Sequence, residues 1–150
     1  MSNESIIIEH LTIFSPEITN KLNILLTQLD SQAKSLEEKD IKFMLSSGSN
    51  YLFIARCKET NQIVGMATLI IYRIPFGLKG IMEDVVVDNK FRKQGIGSQL
   101  IESVLQKARE KGVSYLDFTS RPLRESANNL YKRLGFEKRD TNVYRYKIGN

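Results

Sequence analysis

Residues 81–97, IMEDVVVDNKFRKQGIG, constrain this chain more than any other segment. The β-branched run Val85-Val86-Val87 reads as a buried strand. It breaks at the polar Asp88-Asn89-Lys90 and enters a basic, glycine-punctuated loop, Arg92-Lys93-Gln94-Gly95-Ile96-Gly97. Ile96, Leu100, Ile101, Val104, Leu105 and Ala108 then recur on one stripe, so an amphipathic helix follows at once. A strand that feeds a glycine loop opening a helix is a physical recipe for holding a pyrophosphate. The first-turn N–H groups lack intrahelical partners, the helix dipole favours anions, and glycine lets a ligand reach the backbone. Arg92 and Lys93 add positive charge at the same place.

Two widespread phosphate loops are excluded. A G-x-x-x-x-G-K-[ST] loop fails because no Lys-Ser or Lys-Thr follows Gly97, and G-x-G-x-x-G fails because Leu100 stands where its third glycine belongs. What remains is [QR]-x-x-G-x-[GA], filled by Arg92, Gly95 and Gly97. An EDVVVD strand precedes it, and Leu130-Tyr131-Lys132-Arg133-Leu134-Gly135-Phe136 follows downstream, close to the pattern LY-x-K-x-GF. With these motifs the chain resembles the GNAT superfamily of N-acetyltransferases. The likeness is strongest from about residue 80 to 137 and architectural before that.

The length of 150 residues suits one domain, residues 1–150, with enough chain to bury a core. A single cysteine, Cys57, can form neither an intrachain disulfide nor a metal cluster, so a reducing compartment fits and no metal is expected. Cys57 reads as a half-buried thiol at a strand end, and the single histidine, His10, as a strand-face residue. The N-terminal MSNESIIIEH lacks a basic stretch and a long apolar core, and the apolar run from Met66 to Tyr72 is too short to span a bilayer. The expectation is a cytoplasmic protein without a membrane partner. From Lys90 onward the chain carries fourteen Lys/Arg against six Asp/Glu, whereas residues before Lys90 are net acidic. A basic second half suits an anionic ligand such as CoA. The basic residues are scattered over several elements and no nucleic-acid-binding signature is present, so no nucleic-acid partner is expected. A homodimer is compatible with this reading.

Ile6 to Ile13 reads as a strand. Ser15-Pro16-Glu17 starts a helix carrying Ile18, Leu22, Leu25, Leu26 and Leu29. A second helix is expected from Ser35, with Glu38 completing a capping box and Ile41, Met44 and Leu45 facing inward. Tyr51–Arg56 and Ile63–Tyr72 read as a hairpin, and Arg73–Gly80 as a loop. After the glycine-loop helix, closed by Gly112, come a strand over Val113–Thr119, a helix over Glu125–Leu134 and a last strand over Asn142–Ile148. This order predicts an α/β sandwich: one mixed, mostly antiparallel sheet flanked by helices. It is also the GNAT core order.

The resemblance implies an acyltransferase, transferring groups other than aminoacyl groups, that uses acetyl-CoA as cosubstrate and acetylates a primary amine by direct attack in a ternary complex. It implies that the acetyl-pantetheine arm pairs with the backbone of Val85, Val86 and Val87, beside a gap in the sheet. The pyrophosphate would then lie across residues 92–98, on Arg92, Lys93, Gln94, Gly95, Ile96, Gly97 and Ser98. Glu83 and Asp84, on the same strand, are the candidate bases, acting directly or through water. Regular alternation puts Glu83 on the face of Val85 and Val87, and a bulge would swap the faces. Tyr131 is the candidate acid that protonates the departing thiolate. Relatives place Asn seven residues before this tyrosine; here Arg124 stands there, and Asn128, one helical turn before Tyr131, is the expected substitute. The competing reading is a non-catalytic acyl-CoA-binding or regulatory module of the same fold.

Overall fold

The structure is a computed structural model that describes residues 5–149. The chain divides into two compact units, one ending at Thr119 and one beginning at Ser120. The first contains β1 (Ile6–Leu11), α1 (Pro16–Leu29), α2 (Glu38–Ser46), β2 (Asn50–Cys57), β3 (Ile63–Ile74), β4 (Gly77–Val87), a 3-10 turn (Asn89–Phe91), α3 (Ile96–Glu110) and β5 (Tyr115–Asp117). The second contains α4 (Glu125–Arg133). The sheet has the order β1-β2-β3-β4-β5, antiparallel throughout except for the parallel pair β4–β5. The expected mixed, mostly antiparallel α/β architecture is what forms.

The core follows from the two periodicities. On one sheet face Ile18, Leu22 and Leu25 of α1 and Ile41 of α2 cluster with Leu11, Leu52, Ile54, Met66 and Val86. On the other face α3 buries Ile96, Leu100, Ile101, Val104 and Ala108. Each fully buried Leu or Ile is worth about 1.5–3 kcal/mol, so these stripes hold both helix layers to the sheet. At Gly65 α3 packs close against the sheet. A Cβ there would stand 3.0 Å from Leu100 Cδ1 and 3.2 Å from the Val86 carbonyl oxygen.

Four sequence expectations are corrected. Arg73–Gly80 is not a loop: β3 and β4 run into each other, with Ile74 paired to Gly77 and only Pro75-Phe76 between them. Proline presets its own φ for the turn and Gly77 takes φ +150, so these residues shape a tight connection. The second helix starts at Glu38 with Glu37 as N-cap and Asp40 completing the capping box. Asn23 of α1 delays it, because its side chain accepts from Leu36 N–H at 2.8 Å and donates to Leu36 C=O at 3.0 Å, pinning that residue's backbone to α1. β5 is shorter than Val113–Thr119, because Val113 N–H still bonds to Ala108 C=O at the α3 cap and β4 pairs only as far as Asp117. Asn142–Ile148 forms no strand within the second unit, where Val143, Tyr144, Tyr146 and Ile148 are exposed. A strand needs a partner, and among the described residues this unit offers only a helix.

Candidate active site

The register of β4 against β3 slips at its centre. Thr68 pairs with Glu83 and Met66 with Val86, so Asp84 and Val85 together stand opposite Ala67. This is a β-bulge, and Asp84 sits in it at φ 53, a left-handed conformation that Asp tolerates better than most residues. The bulge changes the faces that regular alternation predicts. Glu83 shares its face with Val86, because their partners Thr68 and Met66 share one, while Val87 opposes Gly65 on the other. Since Val86 belongs to the α1–α2 cluster, Glu83 projects from the α1–α2 side of the sheet.

Glu83 and Asp84 are open to water at the surface, yet the sheet around them withdraws enough solvent to matter. Partial burial raises the Glu83 carboxyl above its ordinary 4.5, with the neighbouring Asp84 charge adding to the effect. Burial raises Asp84 above its ordinary 3.8. A carboxylate with a raised pKa is a better proton acceptor near neutral pH. It is also a small stability liability. The unfolded chain ionises it at its ordinary pKa, the folded chain only at a higher one, so stability falls as pH rises through that window. Asp84→Asn, which keeps a left-handed-tolerant residue in the bulge, is therefore expected to raise Tm slightly at pH 7–8, with the gain vanishing below about pH 3.8. Thermal melts of both proteins across pH check this.

Before it reaches the bulge the strand loses its neighbour on one side. β5 pairs with Lys79, Gly80 and Ile81 only, so Met82–Val87 has β3 on one side and no β5 pairing on the other. Within the first unit β5 therefore leaves the backbone of Val85, Val86 and Val87 unpaired on that side. A 3-10 turn then carries the chain to the loop. Asp88, the buried charged residue among those described, anchors the turn: its N–H donates to Val64 C=O at 2.8 Å, and its side chain accepts from Lys90 N–H at 2.9 Å. Arg92, Lys93, Gln94 and Gly95 are exposed, Lys93 and Gly95 take φ 64 and 79, and Gly95 is the N-cap of α3. A Cβ at Gly95 would meet nothing within 4 Å. The helix start is thus bare backbone facing solvent, with Ile96 buried beneath it and Gly97 and Ser98 partly exposed in its first turn. One contact bears on the expected pairing: Arg92 Nε donates to Val87 C=O at 3.3 Å, so that carbonyl already accepts one of the two hydrogen bonds its lone pairs allow.

In the second unit Tyr131 is buried on α4, its ring edge-on to Phe136 at 6.2 Å between centroids. Burial raises its phenol above the ordinary 10.0, with the Arg124 charge pulling the other way, so it stays a protonated donor through neutral pH. Asn128 donates from its side chain to Arg121 C=O at 3.0 Å, which ties down the turn before α4. One of its two amide N–H groups is thereby engaged in the fold, leaving the other and the side-chain oxygen for the contact expected of it.

The half-buried thiol expected at Cys57 is corrected, and His10 takes the strand-face place expected of it. Cys57 is fully buried, with Sγ 3.3 Å from Glu59 Oε2. His10 lies on a strand face between Tyr51 and Phe53. Among the described residues no cluster of three or more His, Cys, Asp or Glu could hold a metal ion, and no helix is long and apolar enough to cross a membrane. Two residues escaped the sequence reading. Asp88 looked like turn filler, although an Asp two residues before a backbone N–H is a recognisable cap. Gln28, whose side chain reaches Asn89, had no local signal at all.

Comparison with known proteins agrees with this geometry. A sequence model described as the acetyltransferase (GNAT) family matches residues 18–136, and the chain belongs to that family. Human N-acetyltransferase 8 is 30% identical over 99 residues, covering 65% of this chain and 43% of the human protein. Bovine thialysine N-epsilon-acetyltransferase is 41% identical over 54 residues, 36% of this chain and 32% of the bovine one. The chain thus spans less than half the length of these relatives. In fold it matches an aminoglycoside acetyltransferase from an uncultured soil metagenomic sample, solved with sisomicin, at a TM-score of 0.83, 20% identity and 97% coverage of both chains. It also matches the aminoglycoside N-acetyltransferase AAC(6')-Iy solved with CoA, at a TM-score of 0.80, 19% identity and coverage of 98% and 97%.

Proposed function

We propose that the protein is an acetyl-CoA-dependent N-acetyltransferase that acetylates a primary amine by direct attack in a ternary complex. The observation that carries this reading is the layout of β4. A bulge presents two carboxylates of raised pKa on a strand edge that β5 leaves unpaired from Met82 onward, and the strand leads into an exposed helix start with a left-handed glycine. The residues fit the cosubstrate: the open edge of Val85, Val86 and Val87 offers backbone to a pantetheine arm. Arg92 to Ser98 offer cationic side chains and first-turn N–H groups to a pyrophosphate.

Acetyl-CoA supplies the activated acetyl group as a thioester. An aliphatic ammonium has a pKa of about 10.4, so its nitrogen attacks only after losing a proton. Glu83, Asp84 or a water they hold takes that proton, a backbone N–H near Val85 stabilises the oxyanion, and Tyr131 protonates the departing sulfur. The carboxylates and the net acidic first half of the chain favour a cationic acceptor. Cys57 is given no part in this, being fully buried with its thiol donating to Glu59.

The test is a panel of amine acceptors with acetyl-CoA and detection of released thiol. Glu83→Gln is expected to move the pH–rate profile of the best acceptor to higher pH, where more of the amine is already neutral. Partial burial of Glu83 is expected to move the wild-type acid limb upward from the ordinary carboxylate value. A profile unchanged in Glu83→Gln moves the base to Asp84 or water. Cys57→Ser is expected to retain activity. A trapped acetyl-Cys57 competent for transfer would overturn direct attack.

A further inference from the structure

The cofactor loop is tied to α1 by a bond that the loop's own sequence does not show. Gln28, in the last turn of α1, accepts from the Asn89 N–H at 2.8 Å across 61 residues of sequence. Asn89 opens the 3-10 turn between β4 and the loop, so its N–H has no partner within that turn. Asn89 is exposed, and water could satisfy the same N–H. The bond is therefore not needed to avoid an unsatisfied buried group. Nor does α1 need it, because Ile18, Leu22 and Leu25 already bury that helix. What the bond adds is a fixed point. Asp88 clamps one side of the turn to Val64 in β3, and Gln28 clamps the next residue to the helix that packs on the Glu83 face of the sheet. Arg92 begins three residues later.

We propose that Gln28 is a positioning residue for the cofactor: by holding Asn89 against α1 it sets the place of the Arg92–Gly97 loop and pre-orders it for a pyrophosphate. This rests on the acetyl-CoA reading given above. A loop held in its bound place loses less entropy on binding, so removing the anchor weakens the cofactor rather than the chemical step. Gln28→Met keeps the shape and removes the acceptor, whereas Gln28→Glu restores an acceptor at that position.

The experiment measures acetyl-CoA Kd by calorimetry, KM and kcat with the best acceptor, and hydrogen exchange at the Asn89 amide. Gln28→Met is expected to speed exchange at Asn89 and to raise Kd and KM for acetyl-CoA roughly fivefold, the equivalent of about 1 kcal/mol, with kcat held. Gln28→Glu is expected to restore slow exchange and recover much of the affinity. Wild type that binds acetyl-CoA alongside a Gln28→Met protein that binds it equally well overturns the positioning role alone. A fall in kcat at unchanged KM overturns it too. A wild-type protein that binds no acetyl-CoA overturns the cofactor reading and this inference with it.

Discussion

Replacing Tyr131 with phenylalanine is expected to lower turnover roughly 10- to 1,000-fold while leaving most of the acetyl-CoA affinity in place. The substitution removes one oxygen from a buried ring and leaves the edge-on packing with Phe136 intact, so the fold should tolerate it. Its effect should then fall on the proton that the departing thiolate needs. A phenol raised by burial holds its proton to high pH, so the wild-type rate should not decline near neutrality on its account. Steady-state kinetics with the best acceptor, together with calorimetric Kd for acetyl-CoA, separate the two quantities. Turnover equal to wild type would remove Tyr131 from the mechanism.

Acetyl-CoA is expected to raise the melting temperature of the wild type and to have no such effect on Gly95→Asn. Ligand at a hundredfold excess over Kd contributes about 2.7 kcal/mol to the folded state, on the order of 5–10 °C for a chain of this length. Asparagine is chosen because it tolerates the φ of 79 at this position, and because a Cβ here meets no protein atom within 4 Å. The side chain therefore costs the unliganded protein little, and occupies the space through which a phosphate would approach the backbone. A folded Gly95→Asn protein that still shows the full shift would place the pyrophosphate elsewhere.

Much of this was legible in the chain because it rests on local rules. The buried stripe of α3 was readable from its 3.6-residue spacing, although Leu105 ends only partly buried. Gly95 and Gly112 mark the two ends of that helix with the left-handed conformations that glycine permits. The strand–loop–helix order and the mostly antiparallel sheet follow from the same alternation and turn chemistry. The phosphate-loop candidates needed only their spacing.

The remainder depended on groups that meet across long sequence distances. Ser35 and Glu38 match a capping box on paper, but Asn23 holds Leu36 against α1 and the helix begins at Glu38. Pro75 and Gly77 are loop residues by composition, yet β3 and β4 find enough partners to pair right up to them. Nothing within EDVVVD says that Asp84 will bulge: Ala67 and its neighbours on β3 decide it through register, and the bulge in turn decides which side of the sheet Glu83 faces. The same holds for Gln28, whose partner lies 61 residues away. Periodicity, caps and glycine conformations are energies within a few residues, and from them the sequence by itself determined α1, α3, α4, the β2–β3 hairpin and the loop after β4. Register and side-chain anchors are energies between distant segments, and only the tertiary structure decided where the carboxylates point and what holds the loop.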